Sequence, residues 1–165
     1  MTSEHLLHTI PPIYDGNSKI LILGSFPSVK SREVSFYYGH PQNRFWRVLA
    51  AVLDCAVPSS NEEKTALLHS HNIALWDVIK SCDIVGSSDS SIKNVVPNDI
   101  GVILSSCGIR QIYSNGKTSE KLFNKYIKDT VGRDTVALPS TSPANASYNL
   151  ERLTDSWSVI KNNIR

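Results

Sequence analysis

The chain has 165 residues, 41 % of them hydrophobic and 19 % charged, a balance that suits one globular domain with a sizeable core and excludes a disordered tail. A formal net charge of +2 permits a nucleic-acid partner without requiring one, because a local basic patch matters more than the total. No apolar run approaches the ~18 residues of a membrane helix, and Met1-Thr2-Ser3-Glu4-His5 lacks the basic-then-apolar layout of a secretory signal, so a cytoplasmic protein is expected.

Residues 1–18 read as a short lead. Pro11-Pro12 cannot sit inside a helix, and Asp15-Gly16-Asn17 is turn chemistry. Residues 19–23 form a short apolar run ended by Gly24, the pattern of a strand covered on both faces. Residues 24–40 read as loop, with a helical turn near 31–35. Phe45, Val48, Leu49, Val52 and Leu53 then share one helical face, with Asn43 just ahead as an N-cap residue. Ser60-Asn61-Glu62-Glu63 has capping-box spacing and opens a helix over about 61–70.

Ile73-Ala74-Leu75-Trp76 is a second buried-strand candidate, leading to Asp77. Residues 80–95, rich in Ser, Gly and Asp, read as a long loop. Pro97-Asn98-Asp99 starts a helix that Gly108 stops. Residues 110–114 are strand-like and end at Asn115-Gly116, and a helix carrying Leu122, Phe123, Tyr126 and Ile127 follows. Residues 135–138 make a fourth strand, ending in Pro139-Ser140-Thr141-Ser142-Pro143. Leu150, Leu153, Trp157, Ile160 and Ile164 mark the last helix.

Strands and helices alternate. The expected architecture is a three-layer α/β/α sandwich with a central, mainly parallel four-stranded sheet, in one domain over 1–165. Parallel crossovers put every strand C-terminus on one edge, where open α/β folds place ligands. The loops after Leu23, Trp76, Ser114 and Leu138 should converge there.

Several side chains on those loops suit a base or a phosphate. Ser25 and Ser28 add donors to the tight Gly24–Pro27 exit. Tyr37 and Tyr38 offer flat faces on which a base stacks. Asn43 carries both an acceptor and donors. His40, beside Pro41, reads as a structural hydrogen-bonding residue. Ser140, Thr141 and Ser142, stiffened by two prolines, suit close approach to a phosphate backbone. Cys55, Cys82 and Cys107 are odd in number and form no C-x-x-C pair, so they read as reduced thiols. No metal and no cofactor is expected. There is no P-loop, dinucleotide fingerprint, H-E-x-x-H or G-x-S-x-G.

Gly24-x-x-Pro27, the run His40-Pro41-Gln42-Asn43-Arg44-Phe45-Trp46 and the late Leu138-Pro139-Ser140 resemble the uracil-DNA glycosylase superfamily. Gly-Ser-Phe-Pro-Ser and Tyr-Tyr-Gly-His-Pro-Gln-Asn-Arg-Phe-Trp are similar to its hypoxanthine-DNA (deoxyinosine) glycosylase branch, which is related to the mismatch-specific uracil-DNA glycosylases. Two positions depart from the commoner pattern. Phe26 stands where an Asp or Asn usually positions water, and Leu138 where a His or Asn opens the late motif. Both turn the expectation away from ordinary uracil excision.

The resemblance implies a DNA repair enzyme that hydrolyses the N-glycosidic bond of a deaminated base rotated out of DNA. Asn43 would be catalytic, stabilising the departing base and orienting water. Gly24, Ser25, Phe26, Pro27, Tyr38, Phe45 and Asn115 would form the base pocket, with the base stacked on Tyr38. Ser28, Ser31, Ser140, Thr141 and Ser142 would meet DNA. No lysine is placed for a Schiff base (Lys30 and Lys117 are the nearest), so no lyase step is expected. The expected partner is DNA containing a deaminated base, met by a monomer. A uracil or thymine glycosylase acting on mismatches, a catalytically silent DNA-binding module and an enzyme of free nucleosides are the alternatives.

Overall fold

The computed structural model describes residues 2–165; Met1, part of the N-terminal run and domain span read above, lies outside them. In chain order the strands are β1 (Glu4–Leu7), β2 (Ile20–Gly24), β3 (Ile73–Asp77), β4 (Ile79–Ile84), β5 (Lys93–Pro97), β6 (Gln111–Asn115) and β7 (Thr135–Leu138). The helices are α1 (Val29–Val34), α2 (Phe45–Leu53), α3 (Asn61–Ser70), α4 (Gly101–Ser106), α5 (Lys117–Tyr126), α6 (Lys128–Val131) and α7 (Leu150–Trp157).

β2 is the centre because it carries no polar side chain. All of its residues are buried, and it pairs in parallel with β3 on one side and β6 on the other. With β7 the four form a parallel sheet in the order β3-β2-β6-β7, as the alternation of elements predicts. Side chains of successive residues leave opposite faces. Ile20 and Ile22 therefore join one core with Phe45, Val48, Leu49, Leu68, Leu153 and Trp157. Leu21 and Leu23 join the other with Ile79, Ile103, Ile112 and Phe123. Each such aliphatic contributes ~1.5–3 kcal/mol when fully buried.

The long loop expected over 80–95 is corrected. β4 and β5 occupy most of it, and with β1 they form a second, antiparallel sheet in the order β1-β4-β5. β4 buries Ser81 alongside Ile79, Cys82 and Ile84, while Lys80 is exposed. A strand with that composition has no apolar run to reveal it. Only 85–92 remains irregular, apart from a 3₁₀ turn at Asp89–Ser91. The last helix also ends sooner than its spacing suggests, giving way to a 3₁₀ turn at Ser158–Asn162.

The two sheets share a joint. The Val78 N–H donates to Gly24 O at 2.9 Å and Ile79 N–H to Ser25 O at 3.1 Å. Buried Asn98 donates through Nδ2 to the carbonyls of Asp77 (2.9 Å) and Ile79 (3.1 Å). The chain is thereby pinned where it leaves β3 and enters β4, which fixes Asp77 against Gly24.

Candidate functional site

The C-terminal ends of all four parallel strands border one cavity of about 450 Å³. Gly24 to Ser28 come from the exit of β2, Asp77 from β3, Asn115 from β6, and Ser140 to Ala144 from the loop after β7. The predicted convergence is met. Tyr38, His40 and Asn43 close one side, and Ser87, Ser88 and Asp89 from the joint of the antiparallel sheet close another.

Asn43 is held by its own oxygen. Oδ1 accepts from the Phe45 N–H at 2.9 Å and from the Thr141 hydroxyl at 2.9 Å. A backbone N–H can only donate, so the acceptor end of this amide is fixed. The Nδ2 group is left as the donor on the cavity side. The side chain is thus equipped to donate, and its oxygen is not available to orient water, which narrows the role expected from sequence. Asn43 also acts near the start of α2 as its residue type predicts, although the N-cap position itself falls on Arg44.

Behind Asn43 lies a buried relay. Thr141 is fully buried; its Oγ1 accepts from Asn115 Nδ2 at 3.0 Å and its N–H donates to Asn115 Oδ1 at 3.0 Å. Asn115 can reach this loop because Gly116 turns with φ +96, a conformation costly for L side chains, and lies against Ser140. Arg44 straps the same loop down, donating to the carbonyls of Ser142 (2.9 Å), Asn145 (3.1 Å) and Tyr148. The indole N–H of Trp157 on α7 donates to Pro139 O at 2.9 Å. Three elements therefore set where Asn43 points.

Tyr38 sits in the left-handed region at φ 53, a conformation that costs a residue with a Cβ roughly 1 kcal/mol or more. Its ring stacks on Phe45, centroids 4.3 Å apart and planes at 27°. Burial, reinforced by the Asp77 carboxylate, holds the Tyr38 phenol well above its ordinary range, with the Asn115 amide opposing. It remains an O–H. That hydroxyl is buried without a hydrogen-bond partner among the described residues.

The predicted site residues divide. Gly24, Ser25, Phe26, Pro27, Ser28, Tyr38, Asn43, Asn115, Ser140 and Ser142 all line the cavity. Phe45 does not; it is 1 % exposed and belongs to the core beneath Tyr38, because an aromatic at the first turn of α2 faces the sheet. Ser31 and Thr141 border the cavity but are turned inward. Ser31 is buried, where its hydroxyl meets Ser28 Oγ and accepts from the Gly39 N–H at 2.9 Å. Hydroxyls spent on such internal bonds brace loops and do not reach a DNA backbone. His40 Nδ1 accepts from the Gln42 N–H at 3.1 Å, the structural part its sequence setting suggests.

Three groups were not singled out from sequence. Asp77 is 4 % exposed, and His8 bonds its Oδ2 through Nε2 at 2.8 Å. Asp89 lies on the 85–92 segment, where burial pushes its carboxyl up against the pull of hydrogen bonds with Thr118 and Ser25. Asp77 had a signal: it follows a buried strand at the edge where ligands collect, as Gly24 does. His8 had none, since nothing local ties a histidine in a polar lead to a residue 69 positions on.

The family model described as the uracil DNA glycosylase superfamily matches residues 11–162. A hypoxanthine DNA glycosylase of Methanosarcina barkeri is 35 % identical over 82 % of this chain and 85 % of its own. A protein of the same description from Methanosarcina acetivorans is 34 % identical over 91 % and 94 %. The solution NMR structure of a candidate uracil DNA glycosylase from Methanosarcina acetivorans superimposes with a TM-score of 0.79 at 32 % identity, covering 93 % of this chain and 95 % of that one.

Proposed function

As this chain belongs to the uracil DNA glycosylase superfamily, we propose that it removes hypoxanthine from DNA, hydrolysing the N-glycosidic bond of an extruded deoxyinosine and leaving an abasic site. The observation that carries this reading is the locked Asn43 amide, whose Nδ2 is presented to a cavity at the edge where all four parallel strands end.

A base inside a duplex is out of reach, so it is rotated out, at least cost when it is mispaired. Water then forms a bond to C1′ as the C1′–N9 bond breaks. The electron pair of that bond departs with the purine, and the water proton passes to the base or to solvent. The sugar becomes cation-like and the base gains negative charge. A fixed N–H donor at the base is worth more in this transition state than in the ground state, which is what catalysis requires. Asn43 Nδ2 supplies such a donor. The backbone at Ser25–Phe26 lies on the same wall, Tyr38 provides a face for the base, and Phe45 supports that face from behind. Ser28, Ser140 and Ser142 at the rim are the hydroxyls we assign to the DNA backbone. One chain carries every group in this reading, which accordingly has a monomer acting on DNA in the cytoplasm.

The test is abasic-site formation in a duplex containing deoxyinosine. Asn43→Ala should lower single-turnover excision by roughly 10²–10³-fold, the usual effect of losing one donor to developing charge. Full excision by that variant would remove Asn43 from the chemistry. Removal of uracil is the second reading, favoured by the name carried by the NMR neighbour. Duplexes with inosine, uracil, xanthine and mismatched thymine, assayed side by side, separate the two.

A further inference from the structure

The mechanism above leaves the Asp77 carboxylate without a task, yet its setting is costly. It is 4 % exposed, and its partner His8 has a side chain 1 % exposed. A charge placed this deep is weak support for stability, because desolvation offsets much of the attraction. His8 Nε2 engages Oδ2 alone. Oδ1 takes no hydrogen bond from the described residues and is not sealed from the cavity that Asp77 lines.

Gly24 explains the opening. A Cβ at that position would stand 2.3 Å from Asp77 Oδ1 and 3.0 Å from Tyr38 Oη. Only the bare glycine leaves room beside both atoms. The cavity floor therefore holds a fixed anionic acceptor, Asp77 Oδ1, beside a buried and unpartnered hydroxyl donor, Tyr38 Oη.

Deamination rewrites one edge of a base in a consistent way. Adenine and cytosine each carry a ring nitrogen with a lone pair next to an amino group. In hypoxanthine and uracil that nitrogen carries a hydrogen, and the neighbour is a carbonyl. A fixed acceptor bonds the N–H and repels the lone pair, and a site built on a buried polar group rejects a mismatched edge strongly. A donor beside the acceptor complements the adjoining carbonyl.

Resting on the hypoxanthine-excision reading, we propose that Asp77 Oδ1 accepts the N1–H of the extruded hypoxanthine, and that His8 is the positioning residue that holds the carboxylate in this orientation. The pair selects deaminated bases against adenine and cytosine. It does not separate hypoxanthine from guanine or uracil from thymine, which present the same N–H.

The experiment measures single-turnover release of hypoxanthine and of adenine from otherwise identical mispaired duplexes. Asp77→Asn preserves shape, and its oxygen can still accept from His8, which turns an amide donor toward the cavity. Hypoxanthine release should fall on the order of 10- to 100-fold while adenine release does not fall, so the ratio between the two bases collapses. His8→Leu should lower the same ratio severalfold, and His8→Gln, which can still donate, should restore most of it. An unchanged ratio in folded Asp77→Asn overturns the proposal while leaving hypoxanthine excision standing. No release of hypoxanthine by the wild type removes both. Should Asp77→Asn fail to fold, product inhibition of the wild type decides. Free hypoxanthine should inhibit at least about tenfold more strongly than 1-methylhypoxanthine, which lacks the N1–H, and equal inhibition overturns the assignment.

Discussion

In the parallel sheet, β2 buries every residue it has; in the antiparallel sheet, β5 buries none. The first is held by aliphatic burial on two faces. The second keeps one side in water and is steadied by polar bonds such as Asn94 Nδ2 to Asp83 Oδ2 at 2.6 Å and His5 Nδ1 to Asp83 Oδ1 at 2.8 Å. Yet both sheets border the same cavity. The parallel sheet brings Gly24, Asn115 and the Thr141 loop to it, and the antiparallel sheet brings the strand partner of Asp77 and the segment carrying Asp89. Stability is concentrated in one sheet, while the site draws on both.

That contrast can be broken by substitution. Leu21→Ala, at a fully buried position of β2, should cost ~2–5 kcal/mol of unfolding free energy, seen as a lower urea midpoint. A loss below ~1 kcal/mol would mean the parallel sheet is not the stability centre. Thr141→Val keeps the shape of a fully buried side chain but removes the donor to Asn43 and the acceptor for Asn115. We expect excision to fall about tenfold, chiefly in kcat, with the fold retained. Unchanged kcat would show that Asn43 does not depend on this relay.

Asp89 tests the antiparallel side through pH. Its carboxyl is raised by burial, so the folded state resists ionising it. The resulting penalty is absent below the ordinary carboxylate value and grows as pH rises through the raised one. Asp89→Asn should therefore raise Tm by roughly 1–2 °C near about pH 7 and leave it unchanged near about pH 3. An equal gain at both pH values would assign the effect to something other than titration. The smallest effect is expected from Val96→Thr on β5, which is 48 % exposed. Its unfolding free energy should stay within ~0.5 kcal/mol of wild type, and a larger loss would make this sheet more than a polar edge.

The comparison also separates what local reading can find from what it misses. The strand at 135–138 was read to its bounds, and the helix over 61–70 was found through its capping box, where Ser60 Oγ accepts from the Glu63 N–H at 3.0 Å. Both signals are written within a few residues. β4 escaped because Lys80, Ser81 and Asp83 gave it no apolar run, although the fold buries Ser81. At the site, Asn43 and Tyr38 were found from residue type and motif. Phe45 was read as pocket lining because an aromatic next to a polar loop looks the same whether it faces ligand or core.

Sequence alone determined the parallel sheet, the order of its elements and the edge where its loops meet, because apolar period and turn chemistry are local properties of the chain. Only the tertiary structure decided how the chemistry at that edge is oriented. It turned the oxygen of Asn43 into a relay with Thr141 and Asn115 and left its N–H₂ free. It also brought His8 across 69 positions to hold Asp77 beside Gly24. Hydrogen-bond direction and the company of a buried charge depend on contacts far apart in sequence, and these exist only once both sheets have closed around the cavity.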